Sequence, residues 1–167
     1  MKRYGKRAAA AVIGPAATAL ALSGLLAPPA SADTTLTLFE RDDVQNVVDH
    51  GEPGPGPGDQ FLFAGDVFDR PGGVVLGRSS GVCTTLTGNG QAGQTTCSAT
   101  FDLAGGQILV QGYVDSAALF VTGDTNPLAI TGGTGVYRNA RGDGTIRVPV
   151  DVPNQTDAYF VLNVIDG

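Results

Sequence analysis

The sequence predicts an all-β fold, an eight-stranded antiparallel up-and-down barrel. Gly, Thr, Val and Asp dominate the chain after residue 32, and no stretch there repeats apolar residues at helical spacing. The segment 145–151 alternates, so that Ile146, Val148 and Val150 share one face. Short Gly-rich turns separate the strand-like segments. The same strands could form a sandwich, but closing the sheet removes its exposed edges and favours the barrel.

The eight predicted strands follow one another along the chain. They are 34–40, 59–67, 74–87, 94–103, 107–114, 128–131, 145–151 and 157–164. In the seventh, Pro149 cannot donate a ladder hydrogen bond and predicts a bulge or a frayed strand end. Residues 41–58, which end in a Gly-Pro repeat, predict a long loop between the first two strands. Such a loop either covers a site as a lid or is a plain linker.

The first 32 residues predict a secretion signal. Four basic residues within the first seven precede an Ala-rich run that Gly and Pro interrupt, and the small-residue site Ala30-Ser31-Ala32 follows. Cleavage after Ala32 would release residues 33–167, a length that suits one domain with a core and a pocket. We therefore expect a secreted, extracellular protein.

The predicted domain is strongly acidic. All 16 acidic residues lie in it, against six Arg and no Lys, so its formal charge is 6 − 16 = −10. Nucleic acids and anionic membranes bind proteins through clustered cations, and we expect neither as a partner. Partners should be neutral, cationic or apolar.

Two cysteines, Cys83 and Cys97, lie seven positions either side of a Gly-rich turn centred near residue 90. If the flanking strands pair in that register, the two cysteines face each other at the separation that a disulfide needs. Export from the cytosol favours the bond. The alternative is a free, reactive thiol at Cys83.

The domain offers few groups for catalysis. Without Lys it cannot form a Schiff base, and with His50 as its one histidine it cannot build a multi-histidine metal centre. Asp42 and Asp43 lack the ligand spacing of a calcium loop, and the glycines at 132–135 are not followed by the Lys of a phosphate loop. We expect no metal and no cofactor.

Residues 128–142 resemble the signature shared by plant dirigent proteins and allene oxide cyclases. Residues 58–63, 76–83 and 106–112 are similar to the allene oxide cyclase pattern in the same order. The resemblance implies an eight-stranded barrel around a largely apolar cavity. Because members of the family commonly form trimers, it also implies a homotrimer.

The resemblance implies a set of site residues. Cys83, if it is not disulfide-bonded, matches a catalytic Cys of allene oxide cyclases, and Gly65 stands where those enzymes have an Asn. Arg141 falls on the Arg of the dirigent Ala-Arg-Gly motif, where it would position or polarise a bound intermediate; the alternative is an ion pair with Asp143. The candidate ligand-binding residues are Phe61, Phe63, Arg78, Tyr113 and Tyr137. A slip of one residue in strand phase would reverse which of them face inward.

Two functions fit these observations. The first is a secreted barrel that binds a small apolar, phenolic or lipid-like molecule and steers its cyclisation or coupling, as an isomerase-like enzyme or by dirigent-type stereocontrol, without a full allene oxide cyclase catalytic set. Confinement in one reactive conformation is the main requirement of such a site. The second is a non-catalytic ligand carrier or a structural module of the cell envelope. A barrel interior packed with side chains would favour the second.

Overall fold

The fold is described from a computed structural model, which covers residues 33–150 and 157–165. The predicted secretion signal and its cleavage site lie outside these residues. Eight strands follow in order: β1 (Thr34–Val48), β2 (Gln60–Phe68), β3 (Val75–Gly88), β4 (Gly93–Leu103), β5 (Gly106–Asp115), β6 (Asn126–Gly133), β7 (Arg141–Arg147) and β8 (Ala158–Ile165). Each strand pairs antiparallel with the next, and β8 pairs with β1 to close the barrel. The predicted fold class is confirmed.

Strand β1 is longer than the sequence predicts. A bulge between Asp42 and Val44 lets the chain continue to Val48, which pairs with Gln60 of β2. The predicted loop 41–58 is therefore wrong in its first eight residues, and the β1–β2 connection is the shorter segment 49–59. The charged run 41–43 resembles a turn in the sequence, but the bulge absorbs it within a ladder that continues on both sides.

Strand β7 is shifted towards the N-terminus relative to the prediction. It spans Arg141–Arg147 and ends before Pro149, as the missing proline donor requires. The early half of β7 contains Gly142 and Gly144, which made it resemble a turn. A Cβ at Gly142 would lie 2.0 Å from the Asn163 carbonyl oxygen of β8, so only glycine permits this close pairing.

The interior of the barrel is filled at one end, which we call the packed end. Inward side chains from five strands are less than 2% exposed there; they are Leu38, Val67, Phe101, Ile108 and Leu162. The ring of Phe101 meets the ring of Phe160 edge-on, with centroids 4.9 Å apart. The opposite end, which we call the open end, gathers the connections that follow β1, β3, β5 and β7. One of these holds a short π-helical turn, Ala118–Thr122.

No helix in the described part of the chain is long and apolar enough to cross a membrane.

Candidate functional site

A cavity of about 660 Å³ occupies the open half of the barrel. This volume lies in the range that small-molecule sites usually have. Its wall is mainly apolar because the inward positions of the strands carry aromatic and aliphatic side chains. The main apolar contributors are Phe61, Phe63, Val110, Leu128, Ile146 and Phe160. The interior is thus a pocket in this half and a packed core in the other.

The mouth of the cavity is formed by loops. Asp49, Gly54 and Pro55 of the β1–β2 connection line one side, and residues 89–91 of the β3–β4 turn line another. Leu119 and Phe120 of the π-helical turn also reach the cavity. Three of the connections at the open end therefore frame the entrance.

Hydrogen bonds fix the β1–β2 loop at the mouth. The carboxylate of Asp59 accepts from the backbone N–H of His50 at 2.8 Å and of Gly56 at 2.7 Å. These two bonds lower the pKa of Asp59. The Gly58 N–H donates to the Thr85 carbonyl of β3 at 2.8 Å. The loop therefore borders the cavity in a defined conformation and presents an ionised carboxylate there.

The most unusual group in the cavity is the carboxyl of Glu40. It lines an apolar cavity, is 2% exposed, and accepts a hydrogen bond at Oε1 from the buried hydroxyl of Ser79. Desolvation raises the pKa of Glu40 to about 7; the Ser79 hydrogen bond opposes this and the charge of Asp42 adds to it. Both protonation states are then populated near neutral pH, as a general acid or base requires.

Glu40 is not among the site residues that the sequence predicts. The signal is present in the alternation of β1, where Leu36, Leu38 and Glu40 share one face. A carboxyl in line with two leucines on an inward face is a candidate buried acid. Its position near the bulge, beside charged residues, made it resemble the start of a solvated turn.

The two cysteines form a disulfide, as predicted. Cys83 of β3 and Cys97 of β4 are directly opposite in the ladder, and their sulfurs are 2.04 Å apart. Both residues line the cavity. Because the sulfur of Cys83 is bonded to Cys97, the free thiol on which its catalytic role depended is not present, and the pair contributes to the wall of the pocket.

The candidate ligand-binding residues separate into two groups. Phe61 and Phe63 line the cavity, with ring centroids 6.0 Å apart. Arg78 and Tyr113 are exposed, and Tyr137 lies half-buried in the connection between β6 and β7 at the packed end. Strand phase accounts for Arg78, because Ser79 and Cys83 occupy the inward positions of β3.

The candidate arginines also lie away from the cavity lining. Arg78 pairs on the outer surface with Asp43 and Asp66, each at 2.8 Å. Arg141 is exposed at the first position of β7. Asp143, the alternative partner of Arg141, accepts a hydrogen bond from Asn163 Nδ2 at 2.8 Å. Neither guanidinium contributes to the wall of the pocket in this structure.

Gly65 lies beside the buried acid. Its carbonyl accepts a hydrogen bond from the Ser79 hydroxyl at 3.3 Å. A Cβ at this position would lie 2.1 Å from the Arg41 carbonyl oxygen at the β1 bulge. The Asn that allene oxide cyclases are expected to have here therefore cannot fit unless β1 moves.

No group of three or more His, Cys, Asp and Glu residues within the described ranges could hold a metal ion.

Residues 34–162 match the family described as allene oxide cyclase barrel like domain. The chain belongs to this family. Among curated proteins, none matches it in sequence. The family match spans β1 to β7 and the first five residues of β8, and it includes Glu40, Ser79 and the disulfide.

Solved structures share the fold of this allene oxide cyclase barrel-like protein. A pyocyanin demethylase is 27% identical with a TM-score of 0.62, over 78% of this chain and 99% of that one. A Diels-Alderase from Streptomyces koyangensis is 22% identical with a TM-score of 0.60, over 78% and 64%. A pterocarpan synthase dirigent protein is 16% identical with a TM-score of 0.63, over 82% and 97%. Barrels similar to this chain thus include cyclising, demethylating and dirigent proteins.

Proposed function

We propose that this barrel takes up a small, mostly apolar organic molecule and directs the conformation in which that molecule cyclises or couples. The observation that carries the proposal is the 660 Å³ apolar cavity with Glu40 buried in its wall. Holding a flexible molecule in one reactive conformation lowers the entropic part of the barrier without many catalytic groups. An apolar enclosure supplies that restraint.

Glu40 gives the pocket its acid–base capacity. With a pKa near 7, the carboxyl can donate a proton to a bound ligand or accept one, and Ser79 holds it in place. In an apolar enclosure a charged or hydrogen-bonding group acts on a ligand more strongly than it would in water. We infer that Glu40 protonates or deprotonates the ligand at the step that starts or ends ring formation.

The fold relatives support the use of this barrel on small organic molecules, because their names assign them demethylation, cycloaddition and pterocarpan synthesis. The Cys83–Cys97 disulfide supports a site of action outside the cytosol. A carrier would use the same cavity and differs only in returning its ligand unchanged. A cell-envelope module with a filled barrel receives no support from a cavity of this size.

Ligand uptake is tested with two variants at neighbouring positions of β5. Val110 is buried at the cavity wall, and Leu109 points to the outer surface. Val110→Phe should weaken binding of the neutral fluorescent probe N-phenyl-1-naphthylamine by roughly tenfold or more, because the new ring occupies the pocket; that factor corresponds to about 1.4 kcal/mol. Leu109→Phe should leave binding unchanged. Equal affinities for both variants would place the probe outside the cavity and contradict the proposal.

Turnover is tested with the natural ligand. Untargeted mass spectrometry of small molecules that co-purify with the protein identifies it, and chiral chromatography then follows its conversion by the wild type, Glu40→Gln and Glu52→Gln. Glu52 is exposed in the mouth loop and serves as the matched control. We expect one stereoisomer in excess with the wild type and with Glu52→Gln, and slower conversion with Glu40→Gln. A ligand returned unchanged by the wild type would identify a carrier.

A further inference from the structure

Among the residues that the structure describes, the charged groups that line the cavity are all acidic. Glu40 lies deep in the pocket, and Asp49 and Asp59 lie at its mouth. Within the described ranges, no Lys, Arg or His lines the cavity. The segment 151–156, which lies outside the described residues, contains no basic residue in its sequence. The entrance and the interior therefore carry charge of one sign.

The basic residues of the domain are placed elsewhere. Arg41 lies 3.8 Å from Asp157, and Arg147 donates through Nε to the Gly123 carbonyl at 3.1 Å. The remaining arginines are exposed; they are Arg70, Arg78, Arg138 and Arg141. His50 is exposed as well, and its backbone N–H donates to Asp59. None of these basic side chains lines the pocket.

The three carboxyl groups that line the cavity differ in the hydrogen bonds that they accept within the protein. Asp59 accepts two backbone hydrogen bonds at the mouth, which lower its pKa, and Asp49 accepts one from the Gly54 N–H at 2.9 Å. Glu40 accepts a hydrogen bond from Ser79 at Oε1, and no described group donates to its Oε2. An acceptor oxygen without a donor at an apolar cavity wall can accept a hydrogen bond from a bound ligand.

We propose that the ligand is a mostly apolar molecule with one positively charged group, a protonated amine or a cationic aromatic ring, which lies against Glu40. This inference rests on the proposed function and names its substrate class. Asp49 and Asp59 favour the entry of a cation, because charges of one sign around a cleft attract the opposite sign and repel their own. An anionic ligand such as a fatty acid would meet repulsion at the mouth and again at Glu40.

The test uses three probes with the same ring and different charge. Naphthalene-1-methylamine is a cation at pH 7.5, naphthalene-1-methanol is neutral and 1-naphthoate is an anion. Equilibrium dialysis against the full chain should show the amine binding roughly tenfold or more tighter than the carboxylate, with the alcohol between them. The preference should shrink as salt rises from 0.02 to about 0.5 M, because salt screens the charges at the mouth.

Two variants test whether the preference for the amine arises inside the pocket. Glu40→Gln should reduce the ratio of amine to alcohol affinity several-fold, because the amide carries no charge. Glu52→Gln, in the same loop as Asp49 but outside the lining, should leave the ratio unchanged. The wild-type ratio and its salt dependence decide the inference even if Glu40→Gln does not fold. Equal affinities for amine and carboxylate would overturn it. Failure of all three probes and of N-phenyl-1-naphthylamine to bind would overturn the proposed function itself.

Discussion

Replacing Glu40 with Gln should make the protein more stable at alkaline pH and remove part of its pH dependence. Glu40 is buried, and its pKa in the folded protein is about 7 against an ordinary value of 4.5. Gln keeps the size and a hydrogen-bonding oxygen for Ser79 but cannot ionise. The change therefore isolates the free energy of holding this carboxyl out of water.

The size of the effect follows from the two pKa values. The unfolded chain loses the proton near pH 4.5 and the folded protein near pH 7, so between these values the folded state binds more protons. Stability then falls as pH rises, and the loss is complete above pH 7. A difference of about 2.5 pKa units corresponds to about 3 kcal/mol, most of which appears between pH 5 and pH 8.

The pH-dependent loss of stability is measured by urea unfolding at pH 5 and pH 8. The wild type and Glu40→Gln are compared with the disulfide intact. The free energy of unfolding of Glu40→Gln relative to the wild type should rise by about 2 to 3 kcal/mol from pH 5 to pH 8. Burial also raises the pKa of Asp42, to about 6, but Asp42 is present in both proteins. Glu52→Gln is the control and should follow the wild type. Parallel pH profiles for wild type and Glu40→Gln would refute a buried, proton-binding Glu40.

The disulfide, Gly65 and the acidity of the pocket can each be tested separately. Replacing Cys83 and Cys97 by Ser opens a loop with a sequence separation of 14 and should lower the free energy of unfolding by about 3 kcal/mol; urea titrations with unchanged midpoints would contradict it. Gly65→Asn should lower the free energy of unfolding by roughly 2 kcal/mol or more, because its Cβ would lie 2.1 Å from the Arg41 carbonyl oxygen. A variant with the thermal stability of the wild type would show that the backbone at the bulge moves to accommodate the side chain. An unsaturated epoxy fatty acid should give racemic cyclised product by chiral chromatography, since the pocket is acidic and Gly65 replaces the Asn; an enantiomeric excess would show allene oxide cyclase activity.

The sequence predicted the architecture well because barrel strands leave a local signal. Period-two alternation and Gly-rich turns located all eight strands, and the symmetric placement of Cys83 and Cys97 about one turn predicted their register. The errors arose where pairing overrides local composition. The bulge after Asp42 and the close approach at Gly142 depend on the neighbouring strands, so the composition of a single strand does not indicate them.

The cavity lining was harder to predict than the strands, because it depends on which face of each strand turns inward. Phe61 and Phe63 reach the cavity, whereas Arg78 and Tyr113 occupy outward positions on β3 and β5. The sequence pattern does not single out Glu40, because a carboxyl near a strand end usually faces solvent. Its burial follows from the closure of β8 onto β1, where Glu40 pairs with Ala158. That contact joins residues far apart in the chain.

The packed end has a kinetic consequence. Leu38, Phe101 and Ile108 fill the barrel on that side, so the route to Glu40 that the described residues leave open is the acidic mouth. If two molecules are coupled, they have to enter one after the other, and the first to arrive is confined behind the second. A product that leaves slowly excludes the next substrate from the same passage. Product release would then set the turnover rate, and the product would be a competitive inhibitor.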